Sequence, residues 1–257
     1  MNVLVCVKRV PAFGAKVPVT ADGSGIDTRH LGFTIGPHEE CAVEEAVGLV
    51  SAHGGRATVL TVGPAEAEEQ VRYALAMGAD RGALVETGTT ELDPQATAEA
   101  IVGAVERLVA DDEERFDLLL FGVASADAEH GQVGPRVAAE LGLPMVGSVK
   151  GVDVDASSKD LSLRRDVAGD VEVCRVPMPA VVAVKEGLNL PRYPSMPGRL
   201  RARKAPVWSI GAEPARGGLA TAGLRQPEEN DEETVVLGHG ADAAPAVVNV
   251  FERLGVM

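Results

Sequence analysis

The sequence predicts a doubly wound α/β domain, in which a mostly parallel sheet carries helices on both faces. Short apolar runs without polar alternation recur along residues 1–145, as expected of strands that are buried on both sides. Amphipathic stretches separate these runs, so strand and helix alternate along the chain. Such alternation forms right-handed strand–helix–strand units, and these units place the strands in parallel.

The individual elements follow from the spacing of apolar residues. Strands are expected at residues 3–7, 57–62, 83–85 and 118–121, which are rich in Val, Leu and Ala. Helices are expected where apolar residues share one helical face, namely Val43, Ala46, Val47 and Val50, and then Ile101, Ala104, Val105 and Leu108. Residues 13–35 interrupt the pattern and predict a hairpin or extended excursion over one end of the sheet.

The chain changes character after Pro144. Residues 146–176 alternate between apolar and polar, with a turn signal at 168–170, and predict an antiparallel hairpin added to the sheet. A further buried strand is expected at residues 179–184. Residues 1–185 are therefore predicted to form one α/β domain.

Residues 186–257 are predicted to form an irregular loop and an extended C-terminal arm. Prolines recur throughout this region and exclude long helices, so a helix is expected only at residues 241–254. The acidic run at 228–233 predicts a solvated loop. Because the region contains few core residues, we expect it to pack on its own domain or on a partner chain.

Composition excludes several classes of protein. Lys and Arg number 24 and Asp and Glu number 38, giving a net charge of −14, which argues against binding to nucleic acid or anionic membranes. No apolar run approaches the length of a transmembrane helix, so no membrane insertion is expected. The three cysteines match neither a disulfide framework nor a zinc site, and nothing requires a metal. A reducing cytoplasm is the expected location.

A candidate binding site lies where three segments are expected to meet. Residues 6–8, 62–64 and 122–127 follow predicted parallel strands, whose carboxyl ends form the ligand-binding edge of an open sheet. The third segment leads through Gly131 and Gly134 into a helix, so backbone N–H groups are available for a nucleotide phosphate. The alternative is an ordinary glycine-bearing turn.

The acidic residues Glu39, Glu40, Glu44 and Glu45 predict a capped, solvated helix start.

A basic, proline-rich segment is a candidate docking loop. Arg192, Arg199 and Arg201 belong to a cluster of cations in an otherwise acidic chain, and Met196 lies between two prolines. A rigidly presented apolar side chain loses little entropy on binding, which favours docking to another protein. A solvated loop that balances neighbouring acids is the alternative.

The segment 188–204, with Asn-Leu-Pro-Arg-Tyr at 189–193, resembles the signature segment of the β subunit of electron transfer flavoprotein (ETF). Residues 3–10, 42–46, 74–81 and 132–135 match the same family in the same order. The resemblance implies a Rossmann-like fold of the adenine-nucleotide-hydrolase type. It also implies a heterodimer with an ETF α subunit, which provides most contacts to an FAD.

The resemblance assigns roles to individual positions. An adenine nucleotide would be held by Cys6, Gly36, Val62, Asp127, Gly131, Gln132, Val133 and Gly134, while Phe13 and His38 would approach the flavin of the α subunit. Met196 would pack into partner dehydrogenases, with Arg192, Arg199 and Arg201 in the same docking segment.

The chain departs from AMP-binding relatives at the nucleotide segment. The Asn and Thr of their Asn-Gln-Thr-Gly motif are absent, and Gly131-Gln132-Val133-Gly134 stands in its place. This form resembles the Fix-type and electron-bifurcating branch, in which a second FAD replaces AMP. An aromatic residue near the flavin is replaced by His38.

The leading hypothesis is an electron carrier subunit, not an enzyme. It would shuttle electrons between flavin dehydrogenases and an acceptor such as ETF-quinone oxidoreductase. The alternative is a stand-alone ATP- or AMP-binding sensor domain. A nucleotide hydrolase or ligase is disfavoured because no P-loop, metal cluster or catalytic triad is visible.

Overall fold

The computed structural model describes residues 1–88, 91–112, 115–155, 157, 160–211, 217–227 and 234–257. Its strands are β1 (Asn2–Val7), β2 (Val10–Pro11), β3 (Phe33–Thr34), β4 (Arg56–Gly63), β5 (Arg81–Glu86), β6 (Leu118–Gly122), β7 (Met145–Asp155), β8 (Asp160–Val167), β9 (Asp170–Pro177), β10 (Ala180–Val184) and β11 (Val207–Gly211). Its α-helices are α1 (Pro37–His53), α2 (Glu68–Met77), α3 (Pro94–Asp112), α4 (Val133–Leu141), α5 (Met196–Lys204) and α6 (Ala244–Leu254).

Within the described residues, nine strands form one sheet in the order β11-β5-β4-β1-β6-β10-β7-β8-β9. The strands from β11 to β7 pair in parallel, and β7, β8 and β9 continue as an antiparallel meander. The predicted doubly wound fold and the added antiparallel hairpin are therefore confirmed. The predicted turn at 168–170 lies between β8 and β9.

Two hydrophobic cores cover the two faces of the sheet. One contains residues of α1 and α2, such as Ala42 and Leu75, packed on strand residues such as Val5. The other contains residues of α3 and α4, such as Ile101 and Val137. Successive residues of the central strands are buried on opposite faces, which explains their unbroken apolar sequence.

The predicted excursion at residues 13–35 is confirmed as a hairpin-like segment. It is bounded by the short antiparallel pair of β2 and β3 and contains a bridge between Val19 and Ile26.

The expectation of an irregular chain between residue 186 and residue 240 is wrong in two places. Helix α5 begins at Met196, where the Ser195 hydroxyl caps Gly198 N and Pro197 occupies the first turn, a position that needs no N–H donor. Strand β11 pairs in parallel with β5 and becomes the edge strand of the sheet, so it satisfies backbone groups that β5 would otherwise leave unpaired. The acidic run 228–233 lies outside the described residues. The division at residue 185 stays a prediction.

The predicted C-terminal helix is confirmed as α6, preceded by a single turn of 3-10 helix. None of its residues is buried, and Val248, Phe251 and Leu254 remain exposed.

Candidate functional site

The site lies beside β1, where the order of strands in the sheet reverses. The chain leaves β1 toward β4 and β5, then crosses to β6 on the opposite side of β1. The loops that follow β1 and β6 therefore diverge and leave a crevice at the carboxyl ends of these two strands. Open α/β sheets bind ligands at this position.

Two adjoining chambers occupy this crevice. The first, of about 780 Å³ including its open mouth, is lined by Cys6 and by residues 130–135 at the start of α4. The second, of about 680 Å³, is lined by Val62, Asp127 and the base of the excursion at Phe33. The chambers share Lys8, Glu91, Leu92 and Thr97. The structure thus places together the predicted nucleotide residues Cys6, Val62, Asp127, Gly131, Gln132, Val133 and Gly134. Gly36 lies at the margin, beside Ala126.

The start of α4 suits a phosphate group. Gln132 occupies the N-cap, but its side-chain oxygen accepts hydrogen bonds from the Arg136 side chain and not from a backbone N–H, so the first N–H groups of α4 lack a side-chain cap. Gly131 has a φ of +61°, a conformation that favours glycine. A Cβ at Gly134 would lie only 3.4 Å from Phe121 Cγ, so this glycine permits close packing of α4 on β6. The donors present fit the phosphate of an adenine nucleotide.

Lys8 lies between the two chambers. Its Nζ is 2.7 Å from Asp127 Oδ2 and 2.9 Å from Glu91 Oε1. Burial opposes the charge on Lys8, but the hydrogen bonds to both carboxylates raise its pKa. Burial likewise opposes ionisation of Asp127, but Lys8 and hydrogen bonds from Ser125 and Ala128 together lower the pKa of Asp127. A ligand that spans both chambers must therefore pass an ammonium group.

Glu39 forms part of the floor of the first chamber. Only 5% of it is exposed, and its carboxyl group accepts hydrogen bonds from Gly36 N at 2.6 Å and from Lys8 N at 2.8 Å. Burial raises the pKa of Glu39 to about 7, although both backbone hydrogen bonds favour the ionised form. Burial, with a smaller contribution from Glu39, also raises the pKa of Cys6.

The prediction of a capped, solvated helix start is only partly correct. Glu39 does cap α1, but it is buried because its side chain folds back over Gly36. Glu44 and Glu45 bind the loop before α5, and Glu40 accepts a hydrogen bond from the Tyr73 hydroxyl.

Glu39, Glu91, Leu92 and Thr97 line the site but were absent from the predicted set, whereas Lys8 belongs to the predicted segment 6–8, in which it had no assigned role. Lys8 directly follows a predicted strand, and Glu39 stands three residues after Gly36, the spacing of a helix-capping box. Glu91, Leu92 and Thr97 carry no comparable sequence signal, since they reach the cleft only through the crossover from β5 to α3.

His38 and Phe13 do not line either chamber. His38 Nδ1 accepts a hydrogen bond of 2.9 Å from Glu186 N, and burial lowers its pKa. Phe13 is largely exposed on the excursion.

The predicted docking residues divide into exposed and internally bonded groups. Met196 is 70% exposed at the start of α5. Arg199 lies over the Tyr193 ring, 5.2 Å from its centroid. Arg192 binds Glu44, and Arg201 donates to the Leu75 carbonyl oxygen.

Among the described residues, no helix is both long and apolar enough to cross a membrane. The same part of the chain contains no cluster of three or more His, Cys, Asp or Glu side chains arranged to hold a metal ion.

Comparisons with known proteins agree on one family. The model of the electron transfer flavoprotein domain matches residues 25–215. The chain is 32% identical to electron transfer flavoprotein subunit beta of Bacillus subtilis, covering 98% of this chain and 97% of that protein. Identity is 38% with the Bradyrhizobium diazoefficiens subunit and 34% with the Homo sapiens subunit, each covering 80% of both chains. The chain therefore belongs to the electron transfer flavoprotein family, as a beta subunit.

Proposed function

We propose that this chain binds an adenine nucleotide in the cleft beside β1 and completes the FAD site of an α subunit. In this role it carries electrons between flavin dehydrogenases and an acceptor such as ETF-quinone oxidoreductase, and it catalyses no reaction of its own. The observation that carries the proposal is the uncapped start of α4, which lies where the strand order of the sheet reverses. It is supported by the similarity to a beta subunit over 98% of this chain.

The cleft residues have distinct roles in the proposal. The first N–H groups of α4 hold phosphate, while Gly131 allows the turn that leads into the helix and Gly134 allows α4 to pack closely on β6. Leu92, Ile101 and Phe121 provide an apolar wall for the adenine ring. Lys8 offers a cation that can exchange its carboxylate partners for phosphate.

The nucleotide is either AMP or the AMP portion of a second FAD. Loss of the Asn and Thr side chains leaves a site that depends on backbone donors, which both ligands can use. The two adjoining chambers offer room for a larger ligand than AMP if the Lys8 ion pairs open. The second-FAD form would place the protein in the Fix-type, electron-bifurcating branch.

The remaining surfaces are assigned to protein partners. Helix α6, which belongs to the predicted C-terminal arm, packs on the α subunit through its exposed apolar face. Phe13 and His38 face the FAD, which supplies the electron-transfer chemistry when bound. Met196 docks to a dehydrogenase, with Leu190 and Tyr193 as exposed apolar neighbours and Arg199 as a cationic one. The proposed location is the cytoplasm.

Cofactor content tests the nucleotide site. The chain is co-purified with its α subunit, the heterodimer is denatured, and released FAD and AMP are quantified. Two FAD indicate the two-flavin branch, and one FAD with one AMP indicates the simple carrier. Gly134→Val should remove the β-subunit nucleotide, whereas Gly147→Ala, which meets no atom within 4 Å, should not. A heterodimer without flavin, or a stable flavin-free monomer with tight ATP affinity, contradicts the proposal and supports the sensor-domain alternative.

Electron transfer from a dehydrogenase tests the docking surface. Met196→Ala should raise the KM for a partner flavin dehydrogenase that is reduced by its own substrate, and cofactor content should not change. Val171→Ala on β9 is the matched control, because Val171 is another exposed apolar residue, remote along the sheet. An unchanged KM in Met196→Ala contradicts the assignment.

A further inference from the structure

The loop that leads into α5 is attached to α1 by contacts at a constant sequence separation. Three loop residues bind three helix residues, and 148 residues separate the partners in each pair. The pairs are Glu186 with His38, Asn189 with Cys41, and Arg192 with Glu44. Every third residue of the loop thus meets every third residue of the helix. We call this set of contacts the loop–helix ladder.

The ladder combines backbone and side-chain hydrogen bonds. Glu186 N donates to His38 Nδ1 at 2.9 Å, at the first turn of α1. Asn189 Nδ2 donates to the Cys41 carbonyl oxygen at 3.0 Å and also to Glu45 Oε2 at 3.0 Å. The loop is therefore held along about two turns of the helix, so it cannot slide along α1 without breaking several bonds at once.

The last pair of the ladder has the most directional geometry. The Arg192 guanidinium makes two hydrogen bonds of 2.7 Å, one to each carboxylate oxygen of Glu44, and Arg192 N donates to the same carboxylate at 3.0 Å. These bonds from Arg192 lower the pKa of Glu44. A bidentate pair fixes orientation as well as distance, which a lysine cannot reproduce.

The ladder ends just before the exposed docking residue. Ser195, the N-cap of α5, follows Arg192 by three residues, and Met196 comes next. Pro194 and Pro197 stiffen the intervening backbone. Helix α1 is itself anchored in the core through Ala42 and Val43. The ladder therefore fixes the position of Met196 relative to the core of the domain.

We infer that the loop–helix ladder, and the Arg192–Glu44 pair above all, positions Met196 for its partner. Arg192 and Glu44 are then positioning residues, which act on docking through the loop that they hold. This inference rests on the proposed docking function of Met196. A preordered loop loses less entropy when the complex forms, so the benefit lies in the affinity for the partner protein.

The first test measures backbone order in the α–β heterodimer by hydrogen–deuterium exchange. Glu44→Gln should speed exchange in residues 186–195 and leave β7 to β9 unchanged. Arg165→Met is the matched control, because Arg165 and Glu172 form a similar arginine–carboxylate pair at 2.7 Å on the β8–β9 hairpin. Unaltered exchange in residues 186–195 of Glu44→Gln would overturn the inference.

The second test separates positioning from stability. With a partner flavin dehydrogenase as reductant, Arg192→Met should raise KM about tenfold with kcat within about twofold, and Arg192→Lys should have a KM between those of Arg192→Met and wild type. Reduction of the bound flavin by dithionite should not change, since that reaction needs no docking. An unchanged KM in Arg192→Met beside a raised KM in Met196→Ala overturns the ladder's role alone. If neither variant changes KM, the docking function fails and the inference fails with it.

Discussion

Glu39 makes the stability of this protein depend on pH in a way that one substitution can isolate. Burial raises the pKa of Glu39 from 4.5 to about 7, so the folded protein retains a proton that the unfolded chain releases. A group whose pKa is raised on folding contributes fully to the free energy of unfolding below its pKa in the unfolded chain. That contribution is lost as pH rises through the pKa of the folded protein. The affected window therefore runs from about pH 4.5 to about pH 7.

The size of the effect follows from the shift. At 1.36 kcal/mol per pKa unit, a shift of about 2.5 units corresponds to roughly 3 kcal/mol over the whole window. Between about pH 5.5 and pH 7.5, roughly 2 kcal/mol of this should be lost. Glu39→Gln removes this titration. The difference in free energy of unfolding between wild type and variant should therefore change by roughly 2 kcal/mol between about pH 5.5 and pH 7.5.

The assay is urea unfolding of the heterodimer at a series of pH values, for wild type, Glu39→Gln and a control. Glu172→Gln on β9 is the control, because Glu172 is partly exposed and lies outside the cleft. A difference between wild type and Glu39→Gln that stays constant with pH would show that Glu39 does not titrate in this window. The explanation from burial would then be refuted.

Two further predictions concern α5 and the arm. Gly198→Ala should destabilise the protein by about 1–3 kcal/mol in urea unfolding, because its Cβ would lie 2.5 Å from the Ala76 carbonyl oxygen. Gly48→Ala in the middle of α1, whose Cβ would meet no atom within 4 Å, should instead raise the free energy of unfolding by about 0.5–1 kcal/mol. Equal effects of the two substitutions on stability would contradict the packing argument. Asp93 accepts hydrogen bonds from Gly218 N and Leu219 N, so Asp93→Ala should speed proteolysis within residues 217–227. Unaltered cleavage kinetics would show that Asp93 does not retain this segment.

The parallel half of the fold was predictable because burial on both faces leaves a direct trace in sequence. β1, β4 and β6 are continuous apolar runs, and the helices between them repeat with helical spacing. The glycine-bearing start of α4 was recognisable for the same local reason, since a turn that approaches a ligand needs residues without a side chain.

Strand β11 and helix α5 were missed because neither has a strong local pattern. β11 is stabilised by pairing with the edge of β5, and α5 by packing on α2 at Gly198. Both interactions join residues far apart in the chain, so local propensity does not reveal them.

The sequence by itself determined the family, the α/β fold and the segments that converge on the cleft beside β1. Only the tertiary structure decided that Lys8 divides the cleft, that Glu39 is buried and that Arg192 binds Glu44. The reason is physical: apolar periodicity records burial element by element, whereas charge pairing depends on which distant side chains the completed fold brings within hydrogen-bonding distance.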